Sequence, residues 1–186
     1  MLKSEKLNLK LMKKIFEETN KVFLETQREL ILSNVSERAW YTQFAICFTE
    51  KMKEYEIDSC YVVDSEYNRN NGKLKTILND DLIPVEITCD LILHSRGKCL
   101  EQDNLICIEM KKSTTKENAK VEDKNRVRIL TKESFDDLWS YDGKIHPEHV
   151  CRYILGVYYE INIRKKEIYI EYYNKGEKIK EYYMEF

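Results

Sequence analysis

Cys89-Asp90-Leu91-Ile92 and Ile108-Glu109-Met110-Lys111 set carboxylates inside two apolar, strand-like runs. From Pro84 to His94 the side chains alternate. Val85, Ile87, Cys89, Leu91 and Leu93 fall on one face, and Glu86, Thr88, Asp90, Ile92 and His94 on the other, the period of a β-strand. Asn104 to Lys111 is apolar on both faces from Leu105 to Ile108, as a central strand is. Ser95-Arg96-Gly97-Lys98 turns the chain between the two. Antiparallel neighbours joined this way bring Asp90 beside Glu109, and Lys111 shares the Glu109 face because side chains two apart on a strand do. Two carboxylates at an apolar boundary do not both stay ionised without a cation between them. Mg²⁺ or Mn²⁺ answers that need, since hard cations take oxygen ligands and are held by one or two carboxylates plus phosphate and water. Lys111 is then placed to orient a water or to stabilise charge on a phosphate.

Outward from these strands the pattern is helical before and mixed after. Ser4 to Leu32 reads as one or two helices on the spacing of Leu11, Ile15, Phe16, Phe23 and Leu30, with Asn20 as a break. Ser36 is a good N-cap for a helix to about Tyr55, whose buried stripe is Trp40, Phe44, Cys47, Phe48 and Met52. Glu37 lies at the N-terminal end of that stripe, so its carboxylate needs a partner. Asp58 to Tyr67 is a strand, and Asn68 to Asp81 a polar connection with its turn at Asn70-Asn71-Gly72. Lys120 to Leu138 is a helix burying Val121, Val127, Leu130, Phe135 and Leu138. Val150 to Ile163 and Glu167 to Tyr173 are strands joined by Arg164-Lys165-Lys166, and Glu177 to Phe186 is a last strand or a frayed end. The order α-α-β-β-β-α-β-β implies an α/β domain, a mixed sheet with helices on its faces. With 186 residues, five glycines, two prolines and no linker, the chain reads as one domain, 1–186.

The formal net charge of −2 argues against a protein that simply coats nucleic acid. Locally the balance differs. Lys111 to Lys132 holds eight basic side chains against three acidic ones, and Lys112, Lys124, Arg126 and Arg128 are candidate phosphate contacts there. A solvated helix face is the competing explanation of that run. Six cysteines at 47, 60, 89, 99, 107 and 151 form no CxxC pair, and several sit in apolar runs where a thiol acts as a small hydrophobe. Met1 to Lys14 lacks an apolar signal core, and no run approaches membrane-spanning length. A cytoplasmic, reducing setting without disulfides or membrane contact is therefore expected.

The pattern Asp90, eighteen residues, Glu109-x-Lys111 resembles the PD-(D/E)XK nuclease superfamily, with its restriction-endonuclease-like fold. The resemblance runs from about Ser36 to Phe135, and Val63 to Arg69 looks like the second-strand region of small bacterial and archaeal members. It implies an αβββαβ core, here with an extra N-terminal helix and C-terminal strands. It implies metal binding by Asp90 and Glu109, with the Met110 carbonyl as a further ligand. Lys111 would be the catalytic lysine, and Glu37 a catalytic glutamate that binds metal or positions water. The activity implied is Mg²⁺-dependent (or Mn²⁺-dependent) endonuclease hydrolysis of nucleic acid, DNA rather than RNA, compatible with a homodimer. The alternative is an inactive module of the same fold that binds nucleic acid or a protein. The family's proline before the aspartate is Cys89 here.

Other constellations read as structural. His146-Pro147-Glu148-His149-Val150-Cys151 has no second pair to complete a four-ligand zinc site, so its histidines are taken as loop residues. His94 is expected to be an exposed strand-end residue. Asp64 or Glu66 is expected to pair with Arg69. The tyrosines from Tyr158 to Tyr183 are expected to pack across strands rather than to stack bases.

Overall fold

In the computed structural model, which describes residues 7–57, 59–70, 72–134 and 148–186, Asn8 caps the first helix by accepting from the Leu11 N–H. Helix α1 (Leu9–Thr26) is followed by the short α2 (Arg28–Leu32) and by α3 (Glu37–Glu54), capped by Ser36 as its sequence indicates. The break falls at Gln27, not Asn20. Asn20 is buried inside α1 and accepts a 2.6 Å hydrogen bond from the Tyr159 hydroxyl, which is why a polar residue is tolerated there.

A six-stranded mixed sheet forms the centre of the α/β fold. Its strands are β1 (Val62–Ser65), β6 (Leu91–His94), β7 (Asn104–Lys112), β8 (Leu155–Asn162), β9 (Glu167–Asn174) and β10 (Glu177–Glu185), in that order across the sheet. Only β7 and β8 are parallel, and helix α4 (Glu117–Leu130) makes the crossover between them. Two small hairpins precede β6: β2 (Arg69–Asn70) with β3 (Lys73–Leu74), and β4 (Thr76–Leu78) with β5 (Pro84–Glu86).

The expected strand from Pro84 to His94 is therefore split. Its first part pairs with β4 outside the main sheet, and residues 87–90 carry the chain into β6. The split changes the faces. Leu91 and Leu93 pack with Phe16, Phe44 and Phe48 of α1 and α3, whereas Ile87 and Cys89 join Ile92 and Cys107 in a second cluster under α4. The α1–α3 side is aromatic, with Phe16, Phe23, Phe44 and Tyr159 in successive ring contacts. Each such fully buried side chain contributes roughly 1.5–3 kcal/mol by leaving water.

Helix α4 begins earlier than expected and leaves Val121 exposed, while Val127 and Leu130 are buried. Phe135 and Leu138 lie outside the described residues. Gly156 in β8 explains how close α4 lies: a Cβ there would stand 2.5 Å from Val127 Cγ1 and 2.8 Å from Thr131 Cγ2. Cys60 and Cys99 form a disulfide, correcting the expectation that all six thiols stay free. The pairing of Val62 with His94 brings the entrance of β1 to the β6–β7 connection, a proximity that sequence spacing does not show. Cys47, Cys89, Cys107 and Cys151 are free. Among the described residues no helix is long and apolar enough to cross a membrane.

Candidate active site

The antiparallel pairing of β6 with β7 sets Leu91 opposite Ile108, which puts Asp90 level with Glu109 at the far end of the strand pair. Asp90 accepts the Met110 N–H at 2.8 Å and shares a hydrogen bond with the Glu109 carboxyl. On β7 the alternation holds: Ile106, Ile108 and Met110 face α1 and α3, and Cys107 faces α4. Glu109 shares the Cys107 side and is 1% exposed, held at 2.6 Å by the Arg126 guanidinium of α4. Lys111, two residues on, places its ammonium 3.7 Å from Asp90, 3.8 Å from Glu37 and 3.3 Å from Asp123. Glu37, in the first turn of α3, accepts the Lys112 N–H at 2.7 Å, so the helix start is tied to the end of β7. The four residues Glu37, Asp90, Glu109 and Lys111 thus meet at one end of the central strands.

Sequence reasoning missed Asp123. It sits in the middle of α4, buried, with Oδ1 on Arg126 at 2.8 Å. Its Oδ2 is fully buried and accepts no hydrogen bond, although the Lys111 ammonium stands nearby. A charged residue in a charged helix looks like part of a solvated face. The only available signal was its position four residues before Val127, on the side of α4 that packs against the sheet.

Crowding of acids fixes the electrostatics. Burial pushes the Glu109 carboxyl well above the usual range, and the neighbouring Cys89 and Asp90 add to the rise against the pull of Arg126. Burial also raises Asp90, with Lys111 opposing it. For Lys111 the largest influence, burial, lowers the ammonium, but Asp90, Glu109, Asp123 and Glu37 together outweigh it and the net shift is upward. Arg126 behaves likewise, raised by Glu109 despite its burial. The centre is a nest of four carboxylates only partly offset from within by one lysine and one arginine.

The other basic candidates are engaged inside the protein. Lys124 pairs with Glu171 at 2.8 Å and lies over the Tyr158 and Tyr169 rings. Arg128 pairs with Asp80 at 2.5 Å, and Lys112 reaches Asn34 and the Trp40 ring. Asp64 pairs with Arg96 and His94, and Glu66 with Arg38 and the Tyr41 hydroxyl, so neither takes Arg69 as expected. His94 is buried rather than exposed. His149 contacts the Thr76 hydroxyl and Cys151 is buried, while His146 lies outside the described residues. The tyrosines do pair across strands, Tyr169 with Tyr183 at 4.7 Å and Tyr172 with Tyr182 at 5.7 Å between ring centres.

The donor set suits a hard divalent cation, because Asp90, Glu109, Asp123 and Glu37 offer only carboxylate oxygens. The unsatisfied Asp123 Oδ2 is a buried acceptor such an ion would use. In the present side-chain arrangement, among the described residues, no three acidic, histidine or cysteine groups close on one point; Lys111 and Arg126 stand between them. No protein-family model, curated protein or solved structure matches this chain.

Proposed function

We propose that this protein is a divalent-metal-dependent nuclease of the restriction-endonuclease-like fold, hydrolysing phosphodiester bonds in nucleic acid, with DNA as its substrate. The observation that carries this is the convergence of Glu37 from the start of α3, Asp90 from the approach to β6, and Glu109 and Lys111 from β7 on one acid-rich end of the central strands. A salt bridge formed only for stability needs one carboxylate per cation, and a surplus of buried carboxylates is costly unless a further cation joins them. The succession α3, β1, β6, β7, α4, β8 also supports the fold, since it follows the αβββαβ order that the motif implies.

Asp90, Glu109 and Asp123 would hold the ion, and Glu37 would hold a water at the open side, where its side chain keeps 28% of its exposure. When bound, a divalent cation supplies positive charge against the scissile phosphate and lowers the pKa of a water. Lys111 keeps its proton, because its surrounding carboxylates raise its pKa, so it acts as a fixed positive charge beside the phosphate rather than as a base. Arg126 occupies the Glu109 carboxylate, and a bound ion would have to take its place. That same contact is the observation favouring a second reading, an inactive module of this fold whose metal position is filled permanently by a guanidinium.

Incubation of single-stranded, duplex and branched DNA with the protein and Mg²⁺ or Mn²⁺ separates the two. Metal-dependent cleavage by the wild type, lost in Lys111→Ala, supports the nuclease. Absence of cleavage across all three substrates, or equal cleavage by Lys111→Ala, refutes it.

A further inference from the structure

At the opposite end of the β6–β7 pair, where His94 lies across from Asn104, a polar pocket opens between the sheet and the hairpins. Its cavity is small, about 20 Å³, and opens to solvent, and Tyr67, Arg69, Lys75, His94, Arg96 and Asn104 are among its walls. Lys75 is the unusual member. It is 3% exposed, and among the described residues its ammonium has only the Tyr153 hydroxyl at 3.4 Å and the Tyr67 ring at 5.3 Å. Among the described residues no carboxylate lies within ion-pair distance of it. A buried ammonium without a counter-charge is among the least favourable arrangements in a protein. Burial accordingly pulls its pKa down.

The two acids nearby are already committed. Asp103 accepts from the Ser95 hydroxyl and from the Ser95 and Gly97 N–H groups. Asp64 is bound by the Nε and Nη2 groups of Arg96 and by His94. Arg69, exposed at the rim, bonds among the described residues only to its neighbour Asn68. The pocket therefore collects three cationic side chains, Arg69, Lys75 and Arg96, against one lining carboxylate that is held by backbone N–H groups.

We infer that this pocket is an oxyanion site for a phosphate group, with Lys75 at its floor and Arg69 at its mouth supplying the charge. A phosphate gives Lys75 the counter-charge that the described residues do not, and its several acceptor oxygens suit a lysine and an arginine approaching from different sides. Two sources share that chemistry, the terminal phosphate of a nucleic-acid strand and a free phosphate or small phosphomonoester. The inference stands apart from the Asp90–Glu109 centre, which lies at the other end of the strands.

Inorganic phosphate is titrated into the full chain at constant ionic strength, with chloride as the control, and followed by calorimetry and by thermal unfolding. Saturable binding that raises the unfolding temperature, absent with chloride, is expected. Lys75→Met and Arg69→Gln are each expected to weaken it by about tenfold or more, the usual loss for a charged hydrogen bond. Lys75→Met keeps the buried stem and drops the charge, so without phosphate it should unfold at a higher temperature than wild type. Arg69 is exposed, and its variant keeps the test valid should the Lys75 variant fail to fold. Oligonucleotides with a terminal phosphate or a terminal hydroxyl distinguish the sources. Tighter binding of the phosphorylated strand, lost in Lys75→Met, assigns the strand end. Equal binding of both strands together with Lys75-dependent phosphate binding assigns a free phosphate. No saturable phosphate binding, or binding unchanged in both variants, overturns the site.

Discussion

Replacing Lys111 by methionine removes the cation from the middle of three carboxylates while keeping most of the side chain's volume. The ammonium stands 3.3 Å from Asp123, 3.7 Å from Asp90 and 3.8 Å from Glu37, and the side chain is only 16% exposed. Deleting one partner of a fully buried ion pair costs about 3–5 kcal/mol. Three features reduce that here: Asp123 keeps Arg126, Asp90 keeps the Met110 N–H, and Glu37 keeps the Lys112 N–H. A loss of about 2 kcal/mol at pH 7.5 follows, which for a chain of this size lowers Tm by about 4–8 °C. The loss should shrink at pH 5, where Asp90, whose carboxyl is raised by its burial, is closer to taking up a proton. Mn²⁺ should restore more stability to the variant than it adds to wild type, because the ion replaces the missing charge. Thermal unfolding by circular dichroism at the two pH values, with and without Mn²⁺, measures all three effects. A variant as stable as wild type at pH 7.5 without metal would refute the reasoning, since the acid cluster would then not depend on its lysine.

Asp90→Asn tests the sign of the buried acid. Its folded pKa lies above the ordinary 3.8, so the wild type loses stability as pH rises from there through the folded value, whereas an amide does not. The variant should therefore gain on wild type in denaturant unfolding between pH 4 and pH 7, while losing cleavage. Arg126→Gln should leave the metal-free protein less stable and bind Mn²⁺ more tightly in calorimetry, because the guanidinium no longer competes for Glu109; weaker binding would contradict its shielding role. Gly156→Ala should cost about 1–3 kcal/mol by forcing Val127 and Thr131 of α4 away from β8. It should also lower cleavage, since the same helix carries Asp123 and Arg126.

Local rules reached far in this chain. Ser36 marked its helix, the apolar run at Leu105 to Ile108 marked the central strand, and alternation put Glu109 and Lys111 on one face. Non-local information was the part missing. The bend at residues 87–90 is hidden because Ile87 and Cys89 are buried on either description, under a helix rather than within one continuous strand. Ion-pair partners such as Arg126 for Glu109 and Arg38 for Glu66 depend on which elements meet in space, and composition treats them all as surface charge. The Cys60–Cys99 bond and the burial of Asp123 were invisible for the same reason: each follows from packing between elements distant in the chain.

The most direct test is a crystal of the wild-type protein equilibrated with Mn²⁺, examined for anomalous scattering. The account predicts a manganese peak between the Asp90 and Glu109 carboxylates, with the Arg126 guanidinium displaced from its 2.6 Å contact with Glu109. Arg126 unmoved, with no peak at that position in millimolar Mn²⁺, would contradict it.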